Sequence, residues 1–458
     1  MKQNRLPAKK RTACFVFPGT QRKEVYMKGS FTKVRTDSLN PKWKQATKRE
    51  KEMYGRGNDL RSEFERDYTR LLHCRAYRRL KNKTQVFFDP SNDHACTRIE
   101  HVGHVASVAG TIARTLGLND ELTQAIAIGH DIGHAPFGHS GETILNSILG
   151  KEENETVPKK FWHERNSLFF ADYIETLDDP NGIKRPLNLT YAVRDGLICH
   201  CGEIDQQGIK PRSEAINLYD IKRPGMTQPY TWEGCVVKLS DKIAFLGRDI
   251  EDAKMYHLLD MGSYRQMREI VMTTLGMRAE RTRSGERIGT VAHRSGRAVN
   301  TTVLINDMIV DLCENSSPEK GLCFSESYAK FISELKSFCF KNIYNNWRLQ
   351  EFQNYADNVL KTIYRTLMKA EPFAKNGRMP FNAVDFPMLA KAFEEWLICH
   401  SNYQKAGTGE NLRKKMRYDT ETIFDVQNEA SFQKCVIEFI SGMTDDYAIK
   451  CFNEIISF

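Results

Sequence analysis

The feature that most limits what this chain can fold into is a pair of histidine clusters on helix-forming sequence. Arg98-Ile99-Glu100-His101 comes first, and Gly129-His130-Asp131-Ile132-Gly133-His134-Ala135-Pro136-Phe137-Gly138-His139 follows, with His130 standing 29 positions after His101. Val102, Val105, Ala109, Ile112 and Leu116 recur at helical spacing and define an apolar stripe. At roughly 100° per residue, His101 falls at the border of that stripe and His104 points well away from it. Arg98 lies on the stripe side, where a guanidinium needs an anionic partner because burying it unpaired is costly. Asn119-Asp120-Glu121 offers caps for a second helix, with Ala125, Ile126 and Ile128 inward and His130-Asp131 near its end. Gly133, Pro136 and Gly138 break the helix beyond that point.

Neighbouring His and Asp cannot share a helix face, but at a helix end both can reach one ion. Any one of these histidines, taken alone, is by default a capping or buried, satisfied residue. His101, His130 and Asp131 with one more carboxylate read instead as a metal set. The candidate fourth ligand is Asp241, in Val237-Lys238-Leu239-Ser240-Asp241-Lys242-Ile243-Ala244-Phe245. Leu239, Ile243, Leu246 and Ile250 form a core stripe there, and Asp241, Phe245, Asp249 and Asp252 occupy the opposite face. Carboxylates so placed usually face solvent; the strongly helical tract and the incomplete ligand set argue otherwise. Two imidazoles and two carboxylates, without thiolate, suit manganese, iron, magnesium, nickel or zinc with water positions open.

The order His, His-Asp, Asp resembles the HD superfamily of metal-dependent phosphohydrolases. Flanking sequence narrows the resemblance to the deoxyguanosine triphosphate triphosphohydrolase family, related to the vertebrate sterile-alpha-motif/HD-domain dNTPase. The matching tracts are Arg61 to Asp67, Tyr77 to Phe87, Thr97 to His101, His130 to Glu142, Trp162-His163-Glu164 and Asp241 to Asp249, with a weaker echo in Ile440 to Ala448. The resemblance implies an all-α, mainly helical HD-domain fold with at most a short β-hairpin. It also implies hydrolysis of a deoxynucleoside triphosphate, dGTP foremost, to deoxynucleoside and inorganic triphosphate. Carried over by position, His101, His130, Asp131 and Asp241 would hold the divalent metal. His139 and Glu142 would handle the proton or attacking water near the α-phosphate, and His163 would be a second catalytic or phosphate-facing histidine. Arg98 and Lys242 would contact phosphates, and Gln85 and Asp249 the deoxyribose 3′-hydroxyl. Phe245 departs from the pattern: the family commonly has tyrosine beneath the sugar, so the aromatic wall stays but its phenolic hydrogen bond is lost.

Global properties fit this reading. Hydrophobic residues at 40% suffice for a large core, and a mean hydropathy of −0.53 is that of a soluble chain. No apolar run approaches the roughly 18 residues that span a bilayer, so no membrane partner is expected, and the start lacks an apolar signal core. Twelve scattered cysteines without paired CxxC motifs point to reduced thiols and a cytoplasmic location. Cys199-His200-Cys201 looks metal-like locally but lacks a second half. The expected organisation is a basic N-terminal arm over 1–50, a catalytic core over 51–265, and a C-terminal helical region over 266–458 with a basic loop near 278–297. The arm carries 14 Lys/Arg against 3 Asp/Glu within a net charge of +9, so single-stranded nucleic acid or a nucleotide effector is a candidate partner. Of the basic run Arg75, Arg78, Arg79, Lys81 and Lys83, about half should be simply solvated. A short hairpin is expected around Tyr230 to Lys238, and helices over Phe331 to Asn342, Trp347 to Met368 and Phe386 to His400. By resemblance, the chain should form a homo-oligomer, tetramer or hexamer. Two other readings stay open: a different HD-type nucleotide phosphohydrolase, against which the Arg98, Lys242 and Gln85 context argues, or a nucleic-acid-binding protein with a regulatory HD site, against which the intact ligand set argues.

Overall fold

A computed structural model describes residues 29–54, 59–88, 92, 94–150, 160–201, 208–275, 300–381, 386–407 and 411–457. The basic loop near 278–297 and the first 28 residues of the arm lie outside them. Three helices form the frame of the molecule. Arg98–Leu116 opens on a Thr97–Glu100 capping box and closes at Gly117, whose φ of 80° is a left-handed value that glycine adopts without a Cβ penalty. Asp120–Gly129 starts at Asn119, whose side chain accepts from the Leu122 N–H. Trp232–Met255 is the longest helix among the described residues. These three pack on one another, because the stripe Val102, Val105, Ala109, Ile112, Leu116 and the stripe Leu239, Ile243, Leu246, Ile250 are both buried. Burying such side chains contributes about 1.5–3 kcal/mol each relative to exposure.

The fold is mainly helical, as expected from the sequence. Its one named sheet among the described residues is a two-stranded antiparallel hairpin, Thr176–Asp178 with Lys184–Pro186, in the register Leu177↔Arg185. That corrects the expectation of a hairpin at Tyr230 to Lys238. Thr231 instead caps a helix, its hydroxyl accepting from the Gly234 N–H, and the β-branched pair Val236-Val237 is buried within it. Tertiary burial outweighs the modest strand preference of two valines.

The C-terminal half is also helical: Thr301–Asn315, Glu326–Cys339, Trp347–Met368, Pro387–His400, Glu429–Ser441 and Asp445–Ile456. Trp347–Met368 packs against both Gly138–Leu149, which follows the second histidine cluster, and the last helix. Residues 29–50 are held onto the core: Phe31 is buried against Trp232, and Arg49 pairs with Asp67 at 2.5 Å. Every described cysteine is a free thiol, and no helix of the described residues is long and apolar enough to cross a membrane.

Candidate metal centre

The end of Asp120–Gly129 sets the site. His130 is its C-cap, and its ring Nδ1 lies 2.7 Å from the Ala127 carbonyl. That acceptor fixes the proton on Nδ1 and leaves the Nε2 lone pair facing inward. Nε2 is buried and has no hydrogen-bond partner among the described residues. Around it, Asp131 Oδ1 lies at 3.6 Å and Asp241 Oδ1 at 4.0 Å, while Asp241 Oδ1 is 3.0 Å from His101 Nε2. Candidate donor atoms of His101, His130 and Asp131 fall within 4.8 Å of one another. The four residues read from the sequence as candidate ligands therefore converge, delivered by three different helices.

The electrostatics favour a cation. Burial lowers the His130 pKa to about 4, with Asp131 opposing, so the ring is neutral and able to ligate. Burial pushes the Asp241 carboxyl up, but the His101 hydrogen bond overrides it and holds the group well below the usual carboxylate range. An unpartnered buried imidazole nitrogen between two carboxylates is costly unless something positive fills the gap. The donor set and this gap fit a divalent metal ion.

Arg98 finds the anion its position requires: Nη1 donates to Asp131 Oδ2 at 2.6 Å, both groups buried. Glu142 accepts from His163 Nδ1 at 2.9 Å and lies 3.7 Å from His139 Nδ1. His139 is 74% exposed, whereas His163 is enclosed. Burial opposes charge on His163, but the Glu164 and Glu142 carboxylates prevail and raise its pKa to about 10. Lys242 is buried beside Asp241, Phe245 is half-buried one turn on, and Asp249 is buried a further turn along the same helix. Asp249 Oδ1 and Gln85 Oε1 are buried acceptors with no partner among the described residues. Of the basic run, Arg75, Arg78 and Lys81 are exposed, Arg79 pairs with Glu175, and Lys83 is buried, its amine donating to the His134 and Ser441 carbonyls.

Three residues escaped the sequence reading as site members. His134 is buried, its ring stacked on that of His163 at 4.1 Å between centroids. Tyr344, 95 positions from Asp249, donates its hydroxyl to Asp249 Oδ2. His200 caps the helix Tyr191–Cys199 and places its ring 5.0 Å from that of His130. The Cys-His-Cys pattern around it was the available signal; its thiols take no part, and the His200 ring instead groups with donor atoms of Asp131 and His163 within 4.8 Å of one another.

Residues 98–246 match the HD domain, and residues 322–380 match a phosphohydrolase-associated domain, so the class that fold and site define is the HD phosphohydrolase. The chain is 32% identical over 397 residues to a deoxyguanosinetriphosphate triphosphohydrolase-like protein of Caldanaerobacter subterraneus subsp. tengcongensis, covering 87% of this chain and 86% of the relative. A protein of the same description from Clostridium tetani is 29% identical over 401 residues, with 87% and 86% covered. One from Ralstonia nicotianae is 30% identical over 328 residues, with 68% and 78% covered. The chain belongs to this deoxyguanosinetriphosphate triphosphohydrolase-like family of HD-domain nucleotide phosphohydrolases.

Proposed function

We propose that this chain hydrolyses deoxynucleoside triphosphates, dGTP foremost, to deoxynucleoside and inorganic triphosphate. The observation that carries the reading is the unpartnered His130 Nε2 enclosed by His101, Asp131 and Asp241. These four residues would hold a divalent ion, whether Mn, Mg, Fe, Ni or Zn. Such an ion supplies Lewis acidity toward a phosphoryl oxygen when bound.

The remaining chemistry belongs to side chains. Attack at the α-phosphorus needs a positioned water and cations for the spreading charge. Asp131 anchors one end of the Arg98 fork, so the rest of the guanidinium is aimed without further ordering, and Lys242 adds a second cation. His139 with Glu142 moves the proton, since histidine is the side-chain type suited to transfer near neutral pH; His163, bonded to the same Glu142, would face the phosphates. At the sugar end, the orphaned acceptors of Gln85 and Asp249 ask for a hydroxyl donor, which a 3′-hydroxyl provides, and Phe245 offers an apolar wall. The names of the relatives favour a guanine base. Exposed Phe340 and Trp347 are consistent with a homo-oligomer, and the free thiols with a cytoplasmic protein.

The test is turnover of each dNTP and NTP with Mn²⁺ or Mg²⁺, products separated by chromatography. Deoxynucleoside plus triphosphate is expected. Asp131→Ala should lose bound metal and at least ~100-fold in rate while keeping its helical circular dichroism, the range in which deleting one electrostatic stabiliser falls. Monophosphate plus pyrophosphate as products, or full activity in that variant, would remove the reading.

A further inference from the structure

We propose that a cavity between the helices His163–Phe169 and Glu429–Ser441 binds a small aromatic organic anion, and that its occupancy is felt at the turn carrying His130 and Asp131. The effect on metal rests on the reading above; the binding itself does not. The cavity measures about 570 Å³, within the range of small-ligand sites. Trp162, Phe169 and Tyr219 give it aromatic walls, and Ile423 and Ile437 add apolar surface.

Three cations, Lys160, Arg165 and Lys434, line the same space. Two of them sit over rings: Lys434 Nζ is 5.0 Å from the Phe169 centroid, and the Arg165 guanidinium 5.9 Å from that of Tyr219. Against them, the lining holds two carboxyl groups. Glu421 is exposed, whereas Glu438 is buried, and burial pushes its carboxyl up to about 7 although Lys434 and Arg165 oppose. Near neutral pH the lining therefore carries excess positive charge beside apolar walls. An uncharged ring would use the walls alone and an inorganic anion the cations alone; a ring bearing one acid group uses both. Apolar walls strip water from whatever enters, which disfavours a polyphosphate, whose several charges these cations do not match.

Asn166 connects the cavity to the metal centre. It lines the cavity, and its Nδ2 donates to the Gly133 carbonyl at 2.7 Å and to Ser441 Oγ at 3.1 Å. Ser441 Oγ lies 3.3 Å from Glu438 Oε2. Three side chains thus lead from the cavity to the backbone two positions after Asp131. The helix that brings Arg165 and Phe169 to the cavity also brings His163 to Glu142.

Calorimetric titration of the full chain with 2-naphthoate, 1-naphthyl phosphate and uncharged 2-naphthol tests the site. One equivalent of an anion should bind per chain, the tighter of the two identifying the acid group, with 2-naphthol at least ~10-fold weaker. Lys434→Glu should weaken the anions about tenfold. Ala430→Trp should abolish binding by filling the space with a large ring. Both positions are exposed and line the cavity, so circular dichroism should stay that of the unaltered protein. A saturating anion should shift Mn²⁺ affinity by at least ~5-fold. No binding, equal affinity for 2-naphthol, or unchanged binding in both variants overturns the site. An unshifted Mn²⁺ affinity overturns the link to the metal turn. A chain that binds the anion but no Mn²⁺ loses the metal reading and that link, and keeps the site.

Discussion

Glu438 illustrates how one buried carboxyl couples stability to pH. It sits near the end of Glu429–Ser441, and burial raises its pKa from the ordinary 4.5 to about 7, with Lys434 opposing. A raised folded-state value means the native protein holds this proton more tightly than the unfolded chain. The stability it contributes is complete below pH 4.5 and is lost as pH rises through 7. Glu438→Gln should therefore unfold with a flatter pH profile, the wild-type advantage shrinking by about 3 kcal/mol between pH 4.5 and 8. Urea titrations at the two pH values measure it, and parallel slopes in both proteins would discard it. At this scale much of the site is legible in the sequence. Arg98 on an apolar stripe demanded an anion, and Asp131 supplies it. His200 was legible only as a local Cys-His-Cys pattern, because His130, whose ring it meets at 5.0 Å between centroids, lies 70 positions earlier and no local spacing encodes that approach.

Helices converge on the site through backbone contacts that only glycine permits. A Cβ on Gly133 would stand 2.0 Å from the Ser167 nitrogen and 2.3 Å from the Asn166 carbonyl carbon. The turn after His130-Asp131 is thus pressed onto the helix His163–Phe169 and stitched to it. The Gly133 N–H donates to Ser167 Oγ at 2.9 Å, Ser167 Oγ donates to the His130 carbonyl at 2.7 Å, and Asn166 Nδ2 donates to the Gly133 carbonyl at 2.7 Å. Gly133→Ala must move backbone, not a flexible side-chain tip. It should cost about 1–3 kcal/mol and weaken Mn²⁺ binding, because the turn that carries His130 and Asp131 shifts with it. Calorimetry with metal titration checks this, and an unchanged midpoint and affinity would contradict it. Helix extents were readable where amphipathic spacing is long, as in Trp347–Met368. The misplaced hairpin shows the limit: a short apolar run at Tyr230 to Lys238 has no period of its own, and packing chose helix.

Across the whole molecule, the last helix closes the site from the far end of the chain. Asp445, buried at the start of Asp445–Ile456, accepts the Phe137 N–H with Oδ1 and the Thr84 N–H with Oδ2, both at 2.8 Å. Lys83 beside it bonds the His134 and Ser441 carbonyls. One carboxylate thereby fixes the loop that ends the second histidine cluster and the strip leading to Gln85. Asp445→Ala leaves the buried Phe137 N–H and the half-buried Thr84 N–H without their acceptor. The expected loss is about 2–4 kcal/mol, with metal affinity falling alongside. Denaturant unfolding measures it, and a change below about 1 kcal/mol would show that the C-terminal helices are dispensable to the centre.

What the chain order determined alone is the ligand chemistry and the helical sidedness. Residue type fixes which atoms can bind a cation, and a period of 3.6 records which face is buried. Tertiary structure decided which of twelve histidines look at one another, that Tyr344 reaches Asp249, and that Asp445 holds the loop of the second cluster. Those contacts join positions tens to hundreds of residues apart, and their energy depends on desolvation and packing that exist only once the helices have assembled.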